Sequence, residues 1–242
     1  MIRHLLHISH VSKRFGGNVA VSDVSFSVDE KQIVGLIGPN GAGKTTLFNC
    51  ITGFFPVTSG DVIFDNKKIN TLRPDEVCRL GMVRTWQRVK PLGSLTVLEN
   101  VMIGAFSITN VIGKAEAIAW ENLLTVGLMD YACKSAGSLP IGLKKKLELA
   151  RVLATHPRVL LLDEICGGLN HTETDTILEI IRGVRQKGAT IVFIEHDMKA
   201  VTSICDRIVV LNSGEKLAEG TPEEITNNPD VIDAYLGGGH NA

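Results

Sequence analysis

Eight consecutive residues, Gly38-Pro39-Asn40-Gly41-Ala42-Gly43-Lys44-Thr45, combine the properties needed to hold a polyphosphate. Glycines at this spacing let backbone N–H groups turn toward phosphate oxygens with no side chain in the way. Lys44 can bridge the β- and γ-phosphates, and the Thr45 hydroxyl suits a magnesium shell; Thr46 continues the same turn. An apolar run precedes this loop at residues 33–38, and residues 45–53 read as a helix. The loop would therefore join a buried strand to a helix N-terminus, whose dipole favours anions. In that context the pattern is a P-loop, and it predicts nucleotide binding.

Residues 159–164 are Val-Leu-Leu-Leu-Asp-Glu. An apolar strand there would deliver Asp163 to the magnesium side of a nucleotide and leave Glu164 to polarise an attacking water. Alone, two acidic residues after a strand more commonly open a turn or helix; the P-loop upstream favours the chemical reading. His196 ends another apolar strand and is placed to contact a γ-phosphate and sense its loss, although a lone histidine there is usually structural. Gln87 follows the probable strand at residues 81–84. Its amide is suited to ligating magnesium; by itself it carries no signal.

These side chains need a scaffold. Residues 19–28 alternate apolar and polar types, as a half-buried strand does, and residues 61–64 look like a further short strand. Helical periodicity takes over between about residues 91 and 152, at 95–102, 114–127 and 143–153. Strands return at 159–162 and 191–194, separated by an amphipathic helix over 172–187. A hairpin is expected around Asn212-Ser213-Gly214, joining 208–211 to 216–219. Buried strands alternating with helices indicate an α/β core interrupted by a helical lobe. No internal repeat or low-complexity segment stands out.

The 242 residues, 44% of them apolar and 21% charged, fit a folded domain rather than a disordered chain. A net charge of -1 provides no long-range attraction to nucleic acid, and no nucleic-acid partner is expected. The run Lys144-Lys145-Lys146 reads as a solvated helix face. Five scattered cysteines without a Cys-x-x-Cys pair fit reduced thiols. Three histidines and an arginine within residues 1–11 are unlike a signal peptide, and no apolar run reaches the ~18 residues of a membrane span. Any membrane part must come from other chains.

The P-loop, Gln87, a helical lobe, the Asp163-Glu164 strand and His196, in this order, resemble the ABC ATPase family over essentially the whole chain. The resemblance implies an α/β P-loop NTPase cassette with a RecA-like core, an antiparallel β subdomain and an inserted helical lobe. One domain over 1–242 is expected, with core and β subdomain at about 1–90 and 153–242 and the lobe at about 91–152. It implies ATP and Mg2+ as ligands. It also implies a head-to-tail dimer in which each ATP lies between one subunit's P-loop and the other's signature segment. Phe15 stands where the family places an aromatic that stacks on adenine; the alternative is a core phenylalanine. Phe15-Gly16-Gly17, residues 95–101 (Leu-Thr-Val-Leu-Glu-Asn-Val) and residues 220–225 (Gly-Thr-Pro-Glu-Glu-Ile) look most like the branched-chain amino acid uptake subfamily. Asn228-Pro229 and residues 234–237 extend that match. Relatives handling urea, amides or aromatic acids share this form.

The signature is altered. Where the family usually has Leu-Ser-Gly-Gly-Gln, this chain has Leu139-Pro140-Ile141-Gly142-Leu143. Pro140 removes a hydroxyl that would reach the partner's γ-phosphate, Ile141 adds a branched side chain, and Leu143 removes an amide. Pro140 also suits the branched-chain subfamily. Ile165, Asn170 and His171 depart from common family residues at cross-subunit positions, whereas Lys44, Thr45, Gln87, Asp163, Glu164 and His196 are all present. Losing one such phosphate contact costs about 2–4 kcal/mol of transition-state stabilisation. The expectation is therefore a heterodimer with a different ATPase, in which this chain's own P-loop site is the faster one. The expected assembly adds multi-helix membrane permease subunits and an extracytoplasmic substrate-binding protein, with this chain peripheral on the cytoplasmic face of the inner membrane. The alternatives are a lipopolysaccharide-type exporter ATPase, which shares a similar tail, or a non-transport ABC ATPase, which usually needs coiled-coil insertions or tandem cassettes.

Overall fold

The computed structural model describes residues 4–86 and 90–236. Two strands open the chain, β1 (His4–Phe15) and β2 (Asn18–Asp29), paired antiparallel. β1 is not legible as a strand in the sequence, and its register explains why. Irregularities between Ile8 and Val11 and again near Lys13 break the period of two. Together with β4 (Ser59–Phe64) and β5 (Lys67–Lys68), these strands form an antiparallel sheet in the order β2-β1-β4-β5.

The second sheet contains β3 (Ile33–Ile37), β6 (Met82–Arg84), β7 (Val159–Asp163), β8 (Thr190–Ile194), β9 (Arg207–Asn212) and β10 (Glu215–Gly220). Its order is β10-β9-β3-β8-β7-β6, and every pairing is parallel except β10 with β9. The inner strands are apolar on both faces because both faces are covered. Ile33, Ile37, Leu160, Leu162, Ile191 and Phe193 point into one core with the helices. Val34, Leu36, Val159, Leu161, Val192 and Ile194 point into the other, shared with the antiparallel sheet and α1 (Lys44–Ile51).

A short α2 (Pro74–Arg79) precedes β6. Between the neighbouring strands β6 and β7 the chain makes a long helical excursion through α3 (Val97–Ala105), α4 (Ile112–Val126) and α5 (Ile141–Leu153). Their ends are locally specified. Thr96 and Glu99 form a reciprocal capping box on α3, and Gly127 ends α4 in the left-handed conformation. α6 (His171–Gln186), α7 (Met198–Ile204), α8 (Pro222–Thr226) and α9 (Pro229–Leu236) complete the chain. Because β3, β7 and β8 run parallel, Gly38, Asp163-Glu164 and Glu195-His196 all emerge at the same end of the sheet, the end where such sheets bind ligands.

Candidate active site

The P-loop is shaped by close backbone approach. Gly38 has φ +148°, and a Cβ there would sit 2.1 Å from the Leu211 carbonyl oxygen. Gly43, the N-cap of α1, has φ +95°, and its Cβ would come within 2.5 Å of the Ala20 carbonyl oxygen. Only glycine satisfies both constraints. Lys44 begins α1 and is almost wholly buried; its Nζ donates to the carbonyls of Gly38 at 2.7 Å and Pro39 at 3.0 Å. Burial lowers its pKa, opposed by the nearby carboxylates of Glu164 and Asp163.

A cavity of about 400 Å³ is lined by residues 40–46, Glu164 and His196, joined by Val19 and Gly214. It thus contains Asn40, Gly41, Ala42, Gly43, Lys44, Thr45 and Thr46 with the two later residues. His196 Nε2 lies 2.8 Å from Glu164 Oε1. Glu164 has φ +51°, an unusual conformation for a residue with a side chain. Its N–H donates to the Ile194 carbonyl at 2.9 Å, so β8 helps set where Glu164 points.

Asp163 is fully buried at the end of β7. Its N–H donates to Thr85 Oγ1 at 3.0 Å, and its Oδ2 accepts from Arg84 Nη2 at 2.8 Å. Its Oδ1 is buried and has no hydrogen-bond partner among the described residues. Burial raises the Asp163 pKa, while Arg84 opposes that shift. Thr45 and Asp163 line one cavity of about 480 Å³. A hydroxyl and a buried carboxylate oxygen that lacks a donor, on the walls of one cavity, are a donor set suited to a hard divalent cation such as Mg2+.

Several residues here were not visible in the sequence. Arg84 is buried, bonds Asn49 Oδ1 at 2.6 Å as well as Asp163, and lies 4.4 Å from the Trp86 ring centroid. Its only sequence signal is its position at the end of a strand before Gln87. Gln87 itself lies outside the described residues. The neighbouring Trp86 N–H donates at 2.7 Å to Oε1 of the buried Glu148 on α5. The reading of Lys144-Lys145-Lys146 as a solvated face is corrected at its middle residue. Lys145 is 4% exposed because α5 turns that side of the helix toward the Glu164 turn.

Phe15 is 44% exposed at the end of β1, with an edge-to-face contact to Phe55 at 5.3 Å, so it is not a core residue. It is not among the residues lining the P-loop cavity. Nor are residues 139–143. Leu139 is buried, Pro140 caps α5, Ile141 is half exposed, Gly142 is buried and Leu143 is partly buried. Asn170 caps α6, accepting the Glu173 N–H at 2.9 Å, and Ile165 is buried in the helical-side core.

Comparison with known proteins agrees with this geometry. Residues 21–167 match the ABC transporter family, and residues 215–241 match the family described as branched-chain amino acid ATP-binding cassette transporter. The chain belongs to the ABC transporter family. It is 44% identical to BraF of Pseudomonas aeruginosa, a high-affinity branched-chain amino acid transport ATP-binding protein, covering 98% of this chain and 99% of that one. It is 42% identical to LivG of Escherichia coli K12, whose name has the same description, over 98% of this chain and 99% of that one. A crystal structure of a nucleotide-free ATP-binding cassette from an ABC transporter superposes with a TM-score of 0.87 at 33% identity, covering 96% of this chain and 99% of that chain. An ATP-binding cassette of an ABC transporter in its ADP conformation gives 0.89 at 32% identity, covering 97% and 99%. The resemblance to ABC ATPases, and to the branched-chain subfamily, is borne out, as is the P-loop NTPase cassette fold. This ABC cassette is a nucleotide-binding chain.

Proposed function

We propose that this chain is the ATP-hydrolysing subunit of an ABC importer for branched-chain or related amino acids, amides or small organic acids. The observation that carries the hydrolytic reading is that one cavity joins the P-loop to Glu164 and His196. The similarity to BraF and LivG supports the transport reading over a lipopolysaccharide-type exporter or a non-transport ATPase.

The chain acts as one cassette, with core and β subdomain at about 1–90 and 153–242 and a lobe at about 91–152. Backbone N–H groups of residues 40–46 and the Lys44 ammonium neutralise the triphosphate, and Phe15 supports the adenine. Thr45, Gln87 and Asp163 would hold Mg2+, which would supply charge neutralisation to the phosphates. Glu164 polarises the attacking water, and His196, hydrogen-bonded to it, contacts the γ-phosphate. Residues 139–143 serve the ATP of a partner cassette. Their altered side chains make this chain's own P-loop site the faster of two in a heterodimer.

No helix among the described residues is long and apolar enough to cross a membrane, so separate permease subunits provide the pathway and an extracytoplasmic binding protein delivers the substrate. The chain sits at the cytoplasmic face of the inner membrane. A cleft of about 330 Å³ between core and lobe, lined by Phe54, Cys78, Trp86, Ile103 and Val152, offers an apolar seat for a permease helix. Trp86 connects this cleft to the Glu148 contact and to residue 87, so movement at the seat is felt beside the nucleotide.

The test is gentle extraction of the tagged chain from its native membranes, followed by assay of ATP hydrolysis by the recovered complex. Recovery with a second ATPase and multi-helix permeases is expected. Glu164→Gln should retain ATP binding and remove most of the complex's turnover, a loss of at least about 100-fold at the altered site. Recovery with exporter components, or with soluble partners only, would overturn the importer reading. Full turnover by Glu164→Gln would remove Glu164 from its role.

A further inference from the structure

Lys145 lies inside a helix, within a lysine run, and is nonetheless buried. Removing an ammonium from water is unfavourable unless specific partners compensate. Its Nζ donates to the backbone carbonyl of Glu164 at 2.8 Å. Burial lowers its pKa, and nearby acidic groups, Glu195 foremost, oppose that. Glu195 is itself buried, and its Oε1 accepts the Cys166 N–H at 2.6 Å. A charge from α5 and a charge from the end of β8 thus meet around the turn that follows β7.

The atom that Lys145 touches belongs to a residue in an unfavourable conformation. A side-chain-bearing residue at φ +51° is held there at a cost, and it persists only where its surroundings impose it. Among the described residues, three contacts act on the Glu164 main chain. Its N–H donates to Ile194, and its carbonyl accepts the Gly167 N–H at 3.1 Å and the Lys145 ammonium. Of these only Lys145 comes from the helical lobe, and only Lys145 brings a full charge. In this conformation the Glu164 carboxylate reaches His196.

We propose that Lys145 is a positioning residue for ATP hydrolysis, its ammonium holding the Glu164 carbonyl so that the Glu164 carboxylate stays aimed at the attacking water. The proposal rests on the reading of Glu164 as the water-polarising group. It also gives the lobe a direct hold on the catalytic turn, because α5 starts at Ile141 and reaches Glu164 in little more than one helical turn.

The experiment uses the full chain in its assembled complex, with ATP and Mg2+. Lys145→Met keeps the apolar stem and removes the charge. Lys145→Met combined with Glu195→Gln also removes the buried negative charge that the lysine no longer offsets, and so guards against simple misfolding. Both are expected to bind ATP within about threefold of the parent, with kcat lowered by about 10- to 100-fold, as when a reacting group is misplaced. A purely structural lysine predicts the opposite for the double variant, with stability and kcat restored together. Parental kcat in the double variant, or a loss confined to ATP affinity, overturns the proposal. Glu164→Gln is measured alongside. Turnover retained there overturns the reading of Glu164 and the proposal with it, whereas an inactive Glu164→Gln beside a fully active double variant rejects Lys145 alone.

Discussion

Two glycine-containing stretches are built on different terms. In residues 38–45 the missing side chains of Gly38 and Gly43 face backbone, the Leu211 and Ala20 carbonyls, while that of Gly41 faces open space. In residues 139–143 the missing side chain of Gly142 faces only the tip of Glu173, whose Oε1 would lie 2.4 Å from a Cβ, and Ile141 projects half exposed. The first stretch is clamped from within its own chain and is organised before any ligand arrives. In the second, Pro140 and Ile141 face outward, and none of its residues lines the P-loop cavity formed by the described residues. A cassette that owns one half of a site and lends the other half out would be divided in this way.

The sharpest way to break the comparison is to place a methyl group in each stretch. Gly38→Ala cannot be relieved by a rotamer change, because the obstacle is a main-chain oxygen at 2.1 Å and φ is +148°. A destabilisation of more than about 3 kcal/mol is expected, with loss of ATP binding in whatever folds. Thermal unfolding and an ATP titration read both effects. Wild-type-like stability would mean the loop is not clamped as described.

Gly142→Ala should be far milder. Glu173 can swing away, but its Oε2 accepts the Asn170 N–H at 3.0 Å, so the swing gives up half of the capping box on α6. The expected cost is about 0.5–1 kcal/mol, and Asn170→Ala should cost about 1 kcal/mol by the same route. Because both changes break one cap, the double variant should cost less than the sum. Urea unfolding of the four proteins tests this. A Gly142→Ala penalty equal to that of Gly38→Ala would erase the distinction between the stretches.

The same contrast explains what the sequence disclosed. The P-loop, the strand before Asp163-Glu164 and the strand before His196 are local patterns whose residue types are dictated by backbone geometry and burial, so they are readable in order along the chain. β1 was hidden because its irregular register spoils the alternation and histidines occupy positions where apolar residues would mark a strand. Arg84, Lys145, Glu148 and Glu195 were hidden for another reason. Each is a charged residue buried only because a distant segment meets it: Asp163 lies 79 residues from Arg84, Trp86 lies 62 from Glu148, and Glu164 lies 19 from Lys145. A charge on a helix looks solvated until tertiary packing assigns it a partner. α5 carries two such charges, which is why its middle was misread.

Glu148 allows the finest test of how α5 is tied to the core. It is 2% exposed; Oε1 is bonded to the Trp86 N–H, and Oε2 has no hydrogen-bond partner among the described residues. Burial raises its pKa, and the Trp86 N–H, Arg151, Lys145 and Arg84 only partly counter this. The native state therefore binds this proton more tightly than the unfolded chain does. The resulting stability is fully present below the ordinary carboxylate range and is lost as pH rises through the raised folded value. Glu148→Gln does not titrate, yet it keeps an oxygen for Trp86. Measured from about pH 4 to about pH 8, the melting temperature of the variant relative to the parent should rise in the variant's favour and level off once the pH passes the raised folded value. A flat difference would mean that the surrounding cations fully offset the burial of the carboxylate. A falling one would mean that the charge itself holds α5 against Trp86, giving that helix an electrostatic clamp comparable in purpose to the backbone clamp on the P-loop.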